Sequence, residues 1–281
     1  MDENLIIRKV YVDSRFRSEG GHSDPTFDLA QNIRCPLNCC VHCDDVTLPH
    51  SWYSVSNNNR YLYIAERAGT SAPYTYTIRR LDIPQRNYDG NSYTTNLKTA
   101  LNTNTPANIS ATYNVVYSPE TNKCTIASPA TSVFHFLTDQ DLKANDGAHL
   151  SIDKHTPLSG NRVIRNEGGV NGTNATQYTY TDVFTTGFLD FLSIHNVYIY
   201  SNLSLLNSLG PNNQTGILGK VPVSASYGST IHERLQNEHD YCDVSQTSLS
   251  QLQFSIRDAY GALVDLNGAS WSATLIFRIK E

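Results

Sequence analysis

The densest group of metal-binding side-chain types is a short cysteine-rich run with two histidines close by: Cys35, Cys39, Cys40, Cys43, His42 and His50. A structural zinc site needs four such ligands that converge on one ion as a tetrahedron. The spacing here is C-x3-C-C-x2-C, which lacks paired C-x2-C knuckles. On a strand, Cys39 and Cys43 would face one side, and Cys40 and His42 the other. The pattern therefore favours buried cysteines that pack as small apolar side chains.

A second candidate metal site combines His232-Glu233 with Glu238-His239-Asp240, which together resemble a zincin helix. That helix needs two histidines four positions apart, so that both reach one zinc ion. Here the two histidines are separated by seven positions, and position 236 is glutamine. The inverted motif would need a histidine at position 235, which is leucine. We therefore interpret these residues as a solvated polar loop.

Motifs of several large enzyme classes are absent from the sequence. A cupin metalloenzyme needs a His-x-His pair, and the chain contains none. It also contains no Gly-x-Ser-x-Gly nucleophile elbow. The glycine-rich run at 168–172 has no strand-to-helix context, so it is interpreted as a surface loop and not as a phosphate site. The sequence predicts a protein that is not an enzyme, with no catalytic residue, cofactor or bound metal.

The charge pattern also restricts the class of partner. The formal net charge is −5, only 17% of residues are charged, and no basic block occurs, so a nucleic-acid partner is not expected. The first residues lack the basic and apolar regions of a signal peptide, and no apolar run is long enough to cross a membrane. We therefore expect no membrane insertion, folding in a reducing compartment, and six cysteines present as thiols.

Alternating apolar residues identify the elements that carry these side chains. Leu252, Phe254 and Ile256 fall on one face of a predicted strand. Alternate residues from Trp271 to Ile279 do the same near the end of the chain, leaving Ser272, Thr274 and Arg278 facing outward. Period two is typical of half-buried strands, so the sequence predicts an antiparallel β-protein that closes with a core strand.

The remaining strands and one helix complete the predicted architecture. Strands are expected at 5–12, 26–29, 39–48, 60–65, 74–83, 177–184, 196–201 and 217–226. Tyr93, Leu97 and Leu101 share one helical face, and Asn91 or Ser92 can cap that helix. A hairpin at 111–127 follows it. We interpret 84–137 as a small inserted helix-plus-hairpin piece and 138–176 as a long exposed loop. About eight core strands and long connections favour a sandwich or jelly roll over an up-and-down barrel.

The segment Asp13-Ser14-Arg15-Phe16-Arg17 directly follows the first strand. It has two interpretations that composition leaves open. It can be an ordinary strand end with solvated charges. It can also be a subunit-contact motif carried by Arg15, Phe16 and Arg17, because arginine and aromatic residues are enriched in protein interfaces.

Five motifs in a fixed order give the chain a family resemblance. They are VYVDSRFR at 10–17, F-x-L at 27–29, DDVTLPHSWY at 44–53, YDGNSY at 88–93 and RD-x-x-G-x-x-VDLNG at 257–268, before a final strand led by tryptophan. This order resembles the penton, or minor capsid, proteins of Polinton-like viruses, virophages and related DNA viruses of the double-jelly-roll lineage. The motifs are spread over nearly the whole chain.

The resemblance implies a fold, a function and a set of partners. The fold would be all-β, a single jelly-roll β-sandwich covering 1–281, with 84–137 and 138–176 as additions to it. The function would be that of a structural virion protein, a penton subunit whose homopentamers close the five-fold vertices of an icosahedral capsid. The partners would be other copies of the chain, a double-jelly-roll major capsid protein, and other minor capsid or vertex proteins. It would be made in the host cytoplasm or a virus factory.

Two other functions stay open at this point. One is a jelly-roll or lectin-like binding module that recognises a receptor or a glycan through its loops. The other is a cupin-type metalloenzyme, which the missing ligand pattern disfavours. In a jelly roll the first and last strands commonly share a sheet, so the strands at 5–12 and 271–279 are expected to be neighbours.

Overall fold

A computed structural model gives the structure of the protein and describes residues 7–69, 72–103, 112–128, 132–137, 141, 163–164, 178–203, 208–235 and 241–279. The chain folds into two compact units. The first unit consists of Met1–Trp52 and Ile194–Glu281, and the second of Tyr53–Ser193. The described residues are mostly in β-strands, as the sequence predicts, and they contain one α-helix.

The first unit holds strands from both ends of the chain. They are β1 (Ile7–Asp13), β2 (Thr26–Arg34) and β3 (Cys39–Pro49), and after the second unit β10 (Asn196–Ser201), β11 (Ile217–Pro222), β12 (Thr230–Arg234), β13 (Cys242–Asp243), β14 (Ser248–Arg257) and β15 (Ser272–Ile279). The second unit holds β4 (Tyr61–Ala68), β5 (Thr75–Asp82), α1 (Gly90–Asn102), β6 (Asn114–Ser118), β7 (Lys123–Ala127), β8 (Ser132–Phe136) and β9 (Val183–Thr185).

The strand order of the first unit is that of a jelly roll. One sheet has the order β1-β15-β3-β12, with the short β13 also paired to β3, and the other has the order β11-β10-β14-β2. When β13 is left out, the other eight strands can be lettered B to I in chain order, from β1 (B) to β15 (I). The two sheets then have the orders B-I-D-G and F-E-H-C. This is the eight-stranded, two-sheet arrangement of a single jelly roll. In sequence, the second unit lies between the third and fourth of these eight strands, after β3 and before β10.

The first and last strands are antiparallel neighbours, which confirms the prediction from sequence. Tyr11 lies opposite Thr274, and Asp13 lies opposite Ser272. Leu275 and Phe277 of β15 are fully buried and pack in the core between the sheets. Burying such side chains contributes roughly 1.5–3 kcal/mol each to folding. The strand therefore fixes the two chain ends in one sheet.

One residue predicted on the outward face of β15 is not exposed. Thr274 is buried, because β15 is an inner strand with β1 on one side and β3 on the other. The pairing with β3 also shifts register between Thr274 and Leu275. Ser272 and Arg278 are half-buried. The Arg278 guanidinium lies 3.7 Å from the ring centroid of Tyr241, which covers part of it.

The second unit combines two three-stranded sheets with helix α1. The sheet orders are β5-β4-β8 and β6-β7-β9. Tyr93, Leu97 and Leu101 of α1 are buried in a core with residues of these sheets, as the helical spacing predicts. The helix begins at Gly90 and its cap is Asp89, so the predicted caps are wrong. Ser92 instead occupies the third helical position and completes a capping box with Asp89.

A buried ion pair ties the end of α1 to strands β4 and β5. Glu66 is fully buried, and its carboxylate accepts two hydrogen bonds from Arg79, at 2.7 and 2.9 Å. Tyr113 donates a third, at 2.6 Å. Arg79 also donates to the carbonyl oxygens of Leu101, at 2.6 Å, and Thr103, at 3.1 Å. The guanidinium therefore satisfies carbonyl groups that a helix end leaves without partners.

The second unit is longer than the piece at 84–137 that the sequence analysis sets apart. In the structure, α1 and the β6–β7 hairpin share a core with β4 and β8, within a unit that runs from 53 to 193. The division into a single jelly-roll domain with an inserted piece at 84–137 stays a prediction. Most of the predicted loop at 138–176 lies outside the described residues. Its three described members, Asp141, Val163 and Ile164, are buried. No helix within the described ranges is long and apolar enough to cross a membrane.

Candidate functional site

The segment after β1 folds into one compact 3₁₀ turn, Ser14–Phe16. The Asp13 carboxylate caps it by accepting a hydrogen bond from the backbone N–H of Arg15, at 2.9 Å. The same carboxylate binds the Arg15 guanidinium, with Nη2 to Oδ2 at 2.6 Å and Nε to Oδ1 at 3.0 Å. These hydrogen bonds hold the pKa of Asp13 below its ordinary value. The Arg15 charge is thus neutralised within the turn.

A buried polar contact fixes the turn to the last strand. Ser14 is fully buried, and its hydroxyl accepts from the backbone N–H of Trp271, at 2.9 Å. It also bonds Nδ1 of His22, at 2.9 Å. The Trp271 indole N–H donates to the His22 carbonyl, at 2.6 Å. Because these groups are satisfied inside the fold, the turn is held by the jelly roll and not only by its own geometry.

Arg17 faces back toward the turn. Its guanidinium donates to the carbonyl oxygens of Gly20 and Ser14, each at 2.8 Å. It therefore braces the loop between β1 and β2. Of the three residues of the predicted contact motif, Arg15 and Phe16 are exposed, whereas Arg17 bonds within the chain. Their role as a subunit contact stays a prediction.

Two aromatic side chains on this segment are left uncovered. Phe16 is 79% exposed and Tyr11 is 75% exposed. Strand β1 is also the edge of its sheet, with only β15 paired to it among the described strands. An exposed edge next to large exposed aromatic groups is typical of a surface that another chain covers. The arrangement offers hydrophobic area and hydrogen-bonding groups to a partner.

The cysteine-rich run is part of the jelly-roll core. Cys39 and Cys43 face the core on β3, and Cys40 and His42 lie outside that cluster, which confirms the predicted alternation. The Cys40 thiol donates to the carbonyl of Arg278, at 3.5 Å. Burial raises the pKa of Cys39 and of Cys43 to about 12, so both are neutral thiols at ordinary pH. No group of three potential metal ligands comes together within the described residues.

The second predicted metal candidate is also dispersed. His232 and Glu233 lie in β12, paired with Thr47 and Val46 of β3. The prediction of a loop at these two positions is therefore wrong: the backbone hydrogen bonds to β3 fix them in a strand. The His232 ring bonds the Thr47 hydroxyl, at 3.1 Å. The other half of the candidate, 238–240, lies outside the described residues.

The structure contains one further feature that the sequence did not indicate. A polar groove of about 670 Å³ lies in the first unit, and its lining comes from the β1–β2 loop, β2, β10, the β10–β11 loop, β14 and the turn after it. These residues are far apart in sequence and form no motif. Only the pairing of β10 with β14 and of β14 with β2 brings them together.

The strand order of the first unit can be compared with known structures. The chain shares its fold with a viral capsid protein of known structure. This is the mavirus penton protein, whose crystal structure matches with a TM-score of 0.52 over 97% of this chain and 98% of that chain. The sequence identity is 15%, so the likeness shows the fold alone. No family model matches the sequence, and no curated protein matches it either. The all-β, penton-like fold implied by the sequence resemblance is confirmed.

Proposed function

We propose that the chain is a structural virion protein, a penton subunit whose homopentamers close the vertices of an icosahedral capsid. The observation that carries this proposal is the jelly-roll strand order together with a likeness that extends over nearly the full length of both chains. Capsid subunits work through their interfaces. The surface around Tyr11 and Phe16 is exposed and includes a turn held by hydrogen bonds, so it suits such a role. The protein would act without catalysis.

The contact segment supports the proposal at the level of side chains. Phe16 is an exposed aromatic group on a turn whose backbone is held by Asp13 and Ser14, so little ordering is needed when a partner covers it. Preorganised aromatic residues are common among those that dominate interface energies. In a ring with cyclic symmetry, this patch on one copy would meet a different patch on the next.

The proposed partners follow from the same function. They are further copies of the chain, a double-jelly-roll major capsid protein around the vertex, and other minor capsid or vertex proteins. Synthesis in the host cytoplasm or a virus factory would precede assembly into a DNA virus particle. Nucleic acid and membrane are not proposed as partners.

The test measures assembly directly. The full chain is purified alone and after co-expression with a double-jelly-roll major capsid protein, and its mass is measured by light scattering and native mass spectrometry. We expect pentamers in at least one preparation. Monomers at every concentration, combined with no incorporation into particles that contain the major capsid protein, would contradict the proposal.

A matched pair of variants tests the contact segment. Phe16→Ser is expected to lower the association constant of the assembly at least tenfold, because a central aromatic contact contributes about 2 kcal/mol or more. Phe188→Ser changes another exposed phenylalanine, 64% exposed, in the second unit. If both variants assemble like the unchanged protein, Phe16 is not a subunit contact.

The alternative function, a binding module for a glycan or receptor, has one observation in its favour. It is the polar groove of the first unit, which a purely structural subunit does not require.

A further inference from the structure

The groove lies on the solvent side of the sheet β11-β10-β14-β2. Leu252, Phe254 and Ile256 of β14 are buried in the jelly-roll core. The alternate residues Gln253, Ser255 and Arg257 line the groove, which Phe254 also borders. Its volume, about 670 Å³, falls within the range of sites that bind small molecules.

The walls of the groove are fixed by hydrogen bonds. Arg257 donates from Nε to the Ser255 hydroxyl, at 2.9 Å, and from Nη1 to the Gly261 carbonyl, at 2.7 Å. Its guanidinium lies 5.5 Å from the ring centroid of Tyr200. Gln214 accepts from the backbone N–H of Asn212, at 3.0 Å. Side chains held in this way lose little freedom when a ligand binds.

Several polar groups of the groove have unused bonding capacity. Asp24 accepts one hydrogen bond through Oδ1, from the backbone N–H of Gly21 at 2.8 Å. Neither Asp24 nor Arg257 forms an ion pair among the described residues, and the Gln253 side chain makes no hydrogen bond there. The groove therefore offers the Asp24 carboxylate, which only accepts hydrogen bonds, and the Arg257 guanidinium, which only donates them. It also offers the Gln253 amide, which does both.

This set of groups discriminates between classes of ligand. An apolar ligand is disfavoured, because it would leave the charged Asp24 and Arg257 side chains that line the groove without partners in the ligand. An extended peptide would pair with a free strand edge, yet of the two edge strands only β2 contributes a lining residue, Thr26. A simple anion would meet the Asp24 carboxylate. A sugar hydroxyl, by contrast, donates and accepts at once.

We propose that the groove binds a neutral saccharide, with hydroxyls of the sugar donating to Asp24 and accepting from Arg257 and Gln253. This inference goes beyond a structural role and gives the alternative binding function a defined site. It does not depend on pentamer formation, because the lining residues all belong to the first unit of one chain.

The experiment uses the full chain and five probes: D-galactose, D-mannose, D-glucose, L-fucose and N-acetyl-D-glucosamine. Binding of each is measured by saturation-transfer NMR and titration. We expect saturable binding of at least one probe with a Kd near the millimolar range, as a few exposed hydrogen bonds would give. No saturable binding of any of the five would overturn the proposal.

Variants then locate the bound sugar. Asp24→Asn keeps an acceptor for Gly21 but loses the charge, and it is expected to weaken binding at least fivefold. Gln253→Ala is expected to weaken it about threefold. Gln251→Ala is the matched control, because Gln251 is an exposed glutamine two residues earlier on β14 and does not line the groove. Undiminished binding in both Asp24→Asn and Gln253→Ala would place the sugar elsewhere and refute the assignment. The oligomeric state, measured in parallel, tests the penton proposal separately.

Discussion

Replacing Glu66 by alanine is expected to be among the most destabilising single changes in the second unit. The substitution removes the carboxylate that accepts from Arg79 and from Tyr113. The Arg79 side chain, only 12% exposed, would keep its charge without a counter-ion, and the fully buried Tyr113 would lose the acceptor of its hydroxyl. The raised pKa of Tyr113, caused first by burial and then by Glu66, keeps that hydroxyl neutral and donating.

The expected cost follows from these two losses. Breaking a buried ion pair by removing one partner costs about 3–5 kcal/mol. An unsatisfied buried hydroxyl costs about 1–3 kcal/mol. Both losses come from one carboxylate, so they do not simply add. We therefore expect Glu66→Ala to lower the free energy of unfolding of the second unit by about 4 kcal/mol. Glu66→Gln, which keeps an acceptor oxygen, should cost less.

The same hairpin offers a matched control. Arg60, next to β4, binds Asp82 of β5 at 2.6 Å, with the two side chains 23% and 47% exposed. Exposed ion pairs contribute about 0–1 kcal/mol. Asp82→Ala should therefore cost less than about 1 kcal/mol, although the distance between the charged atoms is as short as in the buried pair.

Peptide-resolved hydrogen exchange is the appropriate assay, because it follows the second unit by itself, whereas both tryptophans lie in the first. Peptides covering α1 should lose protection in Glu66→Ala, since Arg79 also holds the Leu101 and Thr103 carbonyls at the end of that helix. Equal losses in Glu66→Ala and Asp82→Ala would refute the reasoning from burial.

Four further predictions concern single positions. Asp89→Ala should cost about 1 kcal/mol in urea unfolding. The hydrogen bonds that Asp89 accepts from Ser92 as the helix cap lower the pKa of its carboxyl group. The contribution of the cap to the free energy of unfolding is therefore complete above the ordinary aspartate pKa of about 4. The difference in that free energy between the unchanged protein and Asp89→Ala should shrink as the pH falls below this value. Gly90→Ala should lower the melting temperature despite its higher helix propensity, because the new methyl group would overlap the Tyr117 ring; an unchanged or higher value would contradict this packing. Tyr200→Phe should raise stability by about 1 kcal/mol in denaturant titration, since its buried hydroxyl has no hydrogen-bond partner among the described residues, and a loss of stability would reveal one. The thiol of Cys43, with a pKa of about 12, should react with a thiol reagent at pH 8 only after unfolding, and rapid native labelling would show that it is accessible.

The strands that could be predicted from sequence are those whose alternation matches their burial. Strand β15 could be predicted because Ala273, Leu275 and Phe277 occupy the core at alternate positions, directly after the buried Trp271. Strand β12 was not predicted, because Ile231 is its only fully buried residue and the other positions are polar, as expected at a sheet edge. The alternation of apolar and polar residues along a strand arises because one face contacts a core. It is therefore weak in a strand with few core contacts.

Polar clusters could not be predicted, for a different reason. Glu66 and Arg79 look like ordinary strand charges in the sequence, and only the docking of α1 makes them a buried pair. The groove has the same origin, since its lining residues come from distant segments that strand pairing brings together. The consecutive residues Arg15, Phe16 and Arg17 could be singled out from the sequence as a predicted contact motif, but the hydrogen bonds of Arg17 within the chain required the structure.

The separation of the two apolar cores has a consequence for how this sequence can evolve. Every described member of the jelly-roll core comes from 1–52 or 194–281, and every described member of the larger second core comes from 53–193. The two cores therefore share no described residue. Selection can refine the jelly roll through its own residues while the intervening segment drifts, shortens or is exchanged for unrelated sequence. Comparison of related genomes should accordingly find abrupt changes of similarity near positions 53 and 193.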